Sequence, residues 1–279
     1  MLSRFSGCLS VLVVFAAAPL LADDFLVESK VFVGKDDKKP VQSVTIFRSG
    51  SVYDFLTNPD EVTVFDPPRK RFVVLDNARR VKVELNTDEV DAFSQRIKHE
   101  AQLRNISLLS FLAEPSFEEN FNASNGELKM TSDWMMYRVK TVRPKLPTVD
   151  VQYLEYSDWQ VKLNTLLRPG SLPPFPRLLL NEALEKHGRV PTEVELTRYG
   201  QHPVKRHITI RAEHRWQWRL LESDLKRLEE ANNHLVTYAS VSLPEYLRPE
   251  HPAAEAAAAA PPVEAGNAAL QPGSVSDQP

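Results

Sequence analysis

The chain has 279 residues, of which 42% are hydrophobic and 25% are charged, a composition typical of a globular protein with a sizeable core. Its formal net charge of −3 gives no electrostatic reason to expect binding to nucleic acid, which selects a clustered basic face. The same charge disfavours general binding to an anionic membrane surface.

The N-terminal residues have the pattern of an export signal. Arg4 supplies the positive charge, residues 9–21 are apolar, and Ala22 is a small residue at a suitable cleavage position. We predict that residues 1–22 are removed and that the mature protein is periplasmic or secreted. An uncleaved anchor is the less favoured alternative, because the apolar run is shorter than the about 18 residues of a spanning helix. Cys8, the one cysteine, then leaves with the signal peptide, so no disulfide is expected.

Residues 41–85 predict an antiparallel meander around which the rest of the chain is organised. Short runs rich in β-branched and aromatic residues are separated by turns that contain Gly, Pro, Asn or Asp. Because no crossover helix joins these runs, a parallel nucleotide-binding sheet is excluded. One strand, at residues 25–33, precedes the meander, whose own strands are predicted at 42–48, 51–56, 61–65, 71–75 and 80–85.

The hydrophobic patterns of these strands predict which faces are covered. The first four meander strands are apolar at odd and even positions alike, which is typical of a sheet covered on both faces. Strand 80–85 alternates apolar and polar residues and should have one solvated face. A helix with Thr87 as its N-cap should run to Arg104, and its apolar stripe should cover one side of the sheet.

The middle of the chain predicts further strands and helices. Strands are expected at 117–122 and 127–142, on either side of an Asn-Gly turn, and again at 149–156. Ser157 is predicted to cap a short helix that ends at Leu167. A second helix is predicted at 175–187, ended by a glycine.

Residues 204–219 carry the strongest periodic signal, with even positions largely apolar and odd positions largely polar or charged. They predict a long amphipathic strand whose hairpin partner contains Val194 and Leu196. Ser223 is predicted to cap a final helix. Residues 249–279 are rich in Ala and Pro and contain no aromatic residue, so we expect a disordered tail.

Few residues suggest a catalytic or metal-binding role, and no familiar catalytic or phosphate-binding motif occurs. The histidines at 202, 207 and 214 differ in strand parity and predict no metal site, and His214 is interpreted as a hydrogen-bonded core residue. We expect no catalytic residue, metal or cofactor. Four carboxylates of the meander could form a hydrolytic pair, but their places at turns and strand edges favour a structural role: Asp54, Asp60, Glu61 and Asp66.

Two segments of the meander resemble the consecutive hairpins of LolA-like outer-membrane lipoprotein carriers. They are FRSGSVYDF at residues 47–55, where a strand turns at Gly50 into an aromatic strand, and VTVFDP at residues 62–67, which ends in an aromatic-Asp-Pro turn. The resemblance implies an incomplete antiparallel barrel with helices in its open side and a hollow that receives acyl chains. Relative to that family, residues 117–188 are expected to be an insertion.

We therefore predict an α+β fold, a curved antiparallel sheet (an incomplete β-barrel) with helices packed on its concave face, in a single domain over residues 23–248. The leading hypothesis is an exported, non-enzymatic protein that binds a lipid or a lipidated protein in an apolar hollow. The alternative is an envelope interaction or structural module whose hollow is filled by its own helices. A hydrolase is a third reading, and the oligomeric state is left open.

The predicted lining of the hollow combines a row from the 204–219 strand with residues of the meander expected to face it. The tryptophans of that row could instead stack a sugar or a base, but two tryptophans on one face of a strand favour a core position. Strand parity does not say which face of the sheet is concave. The predicted lining residues are Val44, Ile46, Val62, Val64, Phe72, Val74, Ile208, Ile210, Trp216 and Trp218.

Overall fold

A computed structural model describes residues 24–34, 39–104, 106–199 and 208–248. The predicted signal peptide, the predicted tail and the beginning of the 204–219 strand lie outside these ranges. The described part of the chain contains twelve strands and six α-helices, with strands before and between the helices.

The strands form one open sheet that is not closed into a barrel. Neighbouring strands are antiparallel throughout, except for the short pairing of the last strand with the end of the meander, which is parallel. In the order β12-β6-β5-β4-β3-β2-β1-β11-β10-β9-β8-β7, the strands are β1 (Phe25–Val33), β2 (Val41–Arg48), β3 (Ser51–Leu56), β4 (Glu61–Asp66), β5 (Arg71–Asp76), β6 (Val81–Asn86), β7 (Glu118–Asn122), β8 (Glu127–Thr131), β9 (Met135–Val142), β10 (Val190–Arg198), β11 (Ile208–Gln217) and β12 (Ala239–Ser240).

The predicted meander is confirmed as β2 to β6, with each strand paired to the next. Its first turn places Ser49 and Gly50 at φ 51° and 77°, in the left-handed region that glycine adopts without steric cost. The hairpin of β10 with β11 is also confirmed, and Val194 pairs with Ala212 there.

Side chains of each strand alternate between two faces of the sheet. The inner face is defined here by Phe25, Phe47 and Phe72, which belong to the main hydrophobic core. The outer face is defined by Ile46 and Val64, which belong to two smaller apolar clusters. Both faces of the meander are therefore apolar, as the strand patterns predict.

The helices cover both faces. Helices α1 to α4 contribute to the main core with the inner face, whereas α5 packs on the outer face through Leu228 and Ala231. Tyr246 of α6 joins the inner core again. The six helices are α1 (Thr87–Leu103), α2 (Ser107–Ala113), α3 (Val149–Leu167), α4 (Phe175–Lys186), α5 (Glu222–Thr237) and α6 (Leu243–Tyr246).

The sheet curves around α3. Tyr153 contacts Trp216 of β11 with ring centroids 4.9 Å apart, and Trp159 contacts Phe72 of β5 at 6.4 Å. The two helical residues are separated by about 9 Å along the helix axis. In a flat sheet β11 and β5 would be about 24 Å apart, because five strand spacings separate them. The α+β prediction of a curved antiparallel sheet with helices on its concave face is confirmed.

Several local predictions are wrong. Residues 149–156 are not a strand but the first half of α3, and Ser157 lies buried inside that helix instead of capping it. Residues 127–142 are not one strand, because the chain reverses between β8 and β9, where Ser132 Oγ donates to the carbonyl of Met135 at 2.9 Å.

Two helix starts differ from the predictions by a residue or two. The N-cap of α1 is Asn86, not Thr87, because the Asn86 side chain accepts from the backbone of Asp88 and Glu89 accepts from the backbone of Asn86. Helix α5 begins at Glu222, before Ser223.

Within the described residues, no helix combines the length and the apolar character needed to span a membrane.

Candidate functional site

The ten predicted lining residues do not share one face. The expectation that they surround a single hollow is wrong, because strand pairing places Val62 opposite Leu75 and Val64 opposite Val73, away from Phe72. The inner face receives Phe72, Val74, Ile208, Ile210, Trp216 and Trp218, and the outer face receives Val44, Ile46, Val62 and Val64. Whether any of them binds a ligand stays a prediction.

The inner face is occupied by the protein's own helices. Tyr156 of α3 contacts Phe47 edge to face at 5.8 Å and lies 6.2 Å from Phe65. Trp159, one turn further along, lies against Phe65 and Phe72. The described residues therefore fill the middle of the inner face with aromatic side chains that pack on one another.

Trp216 and Trp218 belong to this packing. Their rings stack at 5.6 Å, and Trp216 Nε1 donates to the carbonyl of Pro191 at 2.8 Å. Trp216 also lies 6.0 Å from Phe25. These contacts pack the two partly buried tryptophans against the main core, in line with the core interpretation of the pair.

A buried polar group lies next to this aromatic core. Ser29 and His214 share a hydrogen bond of 2.9 Å between Oγ and Nδ1. Burial, together with the nearby Arg177 guanidinium, lowers the pKa of His214 from its ordinary value to about 3, so this imidazole is neutral at physiological pH. The interpretation of His214 as a hydrogen-bonded core residue is confirmed.

The four meander carboxylates have separate structural surroundings. Asp54 accepts from Thr45 Oγ1 at 2.8 Å and from Gln160 Nε2 at 2.9 Å, both on the inner face. Asp66 accepts from the backbone and the side chain of Arg69 in the turn before β5.

Glu61 connects three elements of the fold. It accepts from Arg168 at the end of α3 at 2.8 Å and from Tyr246 Oη at 2.6 Å. Asp60, its neighbour in sequence, accepts from Asn77 Nδ2 at 2.6 Å and lines a cleft on the outer face. These contacts engage all four carboxylates in structural hydrogen bonds and ion pairs.

The candidate site is this cleft on the outer face, here called the outer cleft, which has a volume of about 400 Å³ and lies between α5 and the meander. Two of the ten predicted residues, Val44 and Val62, line it. Among the described residues, the lining consists of Val44, Phe55, Leu56, Thr57, Asp60, Val62, Asn77, Arg227, Glu230, Ala231 and His234.

The floor of the outer cleft exists because the meander strands are apolar on their second face. Val44, Phe55 and Val62 come from the neighbouring strands β2, β3 and β4 and have outward parity. Helix α5 is held over this floor by Leu228, which packs on Leu26 and Ile46. Hydrogen bonds add to this attachment, with Tyr53 Oη donating to Asn232 at 3.0 Å and Lys82 donating to the carbonyl of Leu235.

The rim of the outer cleft is polar. Arg227, Glu230 and His234 follow one another on one flank of α5, at the three- and four-residue spacing that aligns side chains on a helix. The Arg227 guanidinium lies over the Phe55 ring at 5.4 Å, and His234 stacks on Tyr238 at 4.4 Å.

Sequence reasoning missed the residues that α5 and β3 contribute. Phe55 shares the outward parity of Tyr53, so a count of parity within β3 could have identified it. The three rim residues on α5 carried no such signal, because the sequence does not show which face of the sheet α5 covers.

Among the described residues, no group of three or more His, Cys, Asp or Glu side chains is placed to hold a metal ion.

No family model and no curated protein matches the chain. A comparison of structures finds similarity to the crystal structure of a LolA superfamily protein from Nitrosomonas europaea, with 8% sequence identity, over 73% of this chain and 89% of that chain. The TM-score is 0.25, so the similarity is weak.

Proposed function

We propose that the protein is an exported, non-enzymatic binding protein that holds an acyl chain of a lipid or of a lipidated protein in the outer cleft. The observation that carries the proposal is the apolar floor of this cleft, formed by Val44, Phe55 and Val62 under a polar rim. An apolar floor with a few polar groups at its edge is the usual form of a small-molecule site.

The expected energetics favour long chains. Each methylene group that leaves water for the apolar floor gains about 0.8 kcal/mol, and this gain must exceed the cost of ordering the chain. Short acyl chains should therefore fail to bind, whereas longer chains should bind until the cleft is full.

A second candidate function follows from the inner face. Since α3 fills that face with Tyr153, Tyr156 and Trp159, the fold is complete without a ligand. This observation favours an envelope interaction or structural module with a self-filled core.

Lipid extraction and competitive titration separate the two candidates. The purified protein is extracted with organic solvent, and fatty acids of increasing chain length then displace a fluorescent fatty acid from it. A carrier releases lipid and shows displacement that strengthens with chain length. No extracted lipid together with no displacement at any length would leave the interaction module as the better account.

Two substitutions of the same chemical kind locate the site. Val44→Trp adds bulk on the floor of the outer cleft, whereas Val236→Trp adds it on α5 at a side chain that is 82% exposed. We expect Val44→Trp to abolish displacement and Val236→Trp to preserve it. If Val44→Trp fails to fold, Thr57→Trp at the exposed edge of the cleft replaces it.

A further inference from the structure

We propose that the ligand of the outer cleft is a zwitterionic phospholipid with a single acyl chain, a lysophospholipid whose phosphate meets Arg227 and whose ammonium group meets Glu230 and Asp60. This inference rests on the proposed function and adds the chemistry of the head group to it.

The size of the cleft favours one chain. Its volume of about 400 Å³ is near the lower end of the range for small-molecule sites, about 300–1,000 Å³. One acyl chain on the floor leaves the head group at the rim, where the charged side chains lie.

Arg227 is suited to a phosphate. Within the described part of the chain, no carboxylate lies within ion-pair distance of its guanidinium, whose contact there is the Phe55 ring at 5.4 Å. A guanidinium held on an aromatic ring presents its N–H groups in a fixed plane, and this plane matches the oxygens of a phosphate.

The opposite charge is available at the same rim. Glu230 lies one helical turn after Arg227, and Asp60 lines the same cleft from the turn just before β4. The pKa of Tyr238 is raised mainly by burial; the Arg80 guanidinium lowers it, and the carboxylates of Asp60 and Glu230 raise it further. Since both carboxylates line the outer cleft, an ammonium group at this rim would be attracted by both of them.

Both signs of charge are needed for a good match. A purely anionic head group would gain the contact with Arg227 but would be repelled by Glu230 and Asp60. A neutral head group would give none of the three charges an ionic partner. A zwitterionic head group satisfies both signs, and such complementarity discriminates ligands by their charge.

Three lipids with the same acyl chain test the inference: lysophosphatidylcholine, which is zwitterionic, lysophosphatidylglycerol, which is anionic, and monoacylglycerol, which is neutral. Each displaces the fluorescent fatty acid below its micelle concentration. We expect the zwitterionic lipid to bind about tenfold more tightly than either of the others, the size expected for one additional charge-assisted hydrogen bond.

Equal affinities for the three lipids would overturn the inference and leave the proposed acyl-chain site intact. No binding of any of them, together with no fatty acid displacement, would overturn both.

Charge-removing variants on α5 provide a second signature. Arg227→Gln should weaken the binding of both phosphate-containing lipids several-fold and leave the affinity for the neutral lipid unchanged. Glu230→Gln should strengthen the binding of the anionic lipid, so that its affinity comes closer to that of the zwitterionic lipid. Lys226→Gln and Glu229→Gln are matched controls, because these exposed neighbours do not line the cleft, and neither should change the order of affinities. The same response from the controls as from the cleft variants would contradict the assignment.

Discussion

The outer face of the sheet has two halves of opposite character. In one half, strands β2 to β5 present apolar side chains such as Ile46 and Val64, which α5 covers. In the other half, strands β8 to β11 present charged side chains outward, and Lys140 faces Glu193 across a strand pair with 3.1 Å between Nζ and Oε2.

Further ion pairs join neighbouring strands of the charged half. Arg138 lies between Glu127 and Glu195, at 3.7 and 3.8 Å. Arg215 reaches Glu28 of β1 at 3.7 Å. Opposite charges on neighbouring strands therefore neutralise each other, and this half needs no covering helix.

The difference shows where a ligand site can form. A sheet face that is apolar must be covered, and an imperfect cover leaves an apolar cleft. A face with paired charges stays solvated and forms no such cleft. The proposed function accordingly belongs to the half beneath α5, and the following predictions test this division from the largest expected effect to the smallest.

Removing a buried contact of α5 should have the largest effect. Leu228 is 4% exposed between Leu26 and Ile46, so Leu228→Ala should lower the free energy of unfolding by about 2–5 kcal/mol. Urea unfolding measures this change. Leu225→Ala on the same helix is the control, because its side chain is 39% exposed and should cost clearly less. Equal losses would mean that α5 is not anchored as described.

Two tyrosine hydrogen bonds, one at the end of α5 and one in α6, should give the next largest effect. Tyr246 donates to the carboxylate of Glu61 at 2.6 Å, and Tyr238 donates to the amide oxygen of Asn77 at 3.1 Å. Tyr246→Phe should cost about 1.5–3 kcal/mol, since its acceptor is charged, and Tyr238→Phe should cost about 0.5–1.5 kcal/mol. Chemical denaturation of both variants compares them, and the reverse order would contradict the account.

His214 makes the inner side of the charged half sensitive to acid. Its pKa is about 3 in the folded protein and about 6.5 when unfolded, so between these values the unfolded chain binds a proton that the folded chain does not. The unfolding free energy is therefore unaffected by this titration above about pH 6.5. Below that pH it should fall by up to about 1.4 kcal/mol for each unit of decreasing pH.

Denaturation curves from neutral pH down to about pH 5 measure this dependence. His214→Asn should make the pH dependence of the unfolding free energy less steep than in the natural protein. Ser29→Ala is the control, because it removes the hydrogen bond but keeps the imidazole buried, so the steep dependence should persist. An unchanged slope in His214→Asn would contradict the burial of a neutral histidine.

The charged outer face should show the smallest effect. Lys140 and Glu193 form an exposed pair, and Lys140→Gln should change the unfolding free energy by less than about 1 kcal/mol. The effect should shrink further at high salt, because exposed charges are screened. A loss comparable with that of Leu228→Ala would remove the distinction between the two halves.

Much of this division could be read from the sequence. The meander was predictable because its turns contain Gly, Pro, Asn and Asp. Its strands have apolar residues at both parities, as Val64 and Phe65 show, and this pattern predicts a sheet covered on both faces. In residues 208–217 apolar and charged residues alternate, and this pattern predicts one solvated face.

Helix α3 shows where pattern reasoning fails. Locally, Val149, Val151 and Tyr153 alternate with polar residues, as in a strand. In the structure, buried residues such as Val149, Tyr153 and Gln160 follow helical spacing, and neighbouring Leu154 and Val161 are buried as well. A helix lodged in a curved sheet is covered around much of its circumference, so it lacks a single apolar stripe.

The site itself was predictable only in part. Parity identified Val44 and Val62 as lining candidates, but grouped them with Trp216 and Phe72 on the other face. The choice between the two faces depends on how the helices are distributed, and this distribution results from contacts between distant parts of the chain.

Photo-crosslinking tests the central claim most directly. A fatty acid with a diazirine near the end of its chain is bound to the purified protein and irradiated, and the adducts are mapped by mass spectrometry. The account predicts adducts on the floor and wall of the outer cleft, at or next to Val44, Val62 and Ala231. Adducts confined to α3 and β11, around Tyr153 and Trp216, would show that the chain enters the inner face and would contradict the account.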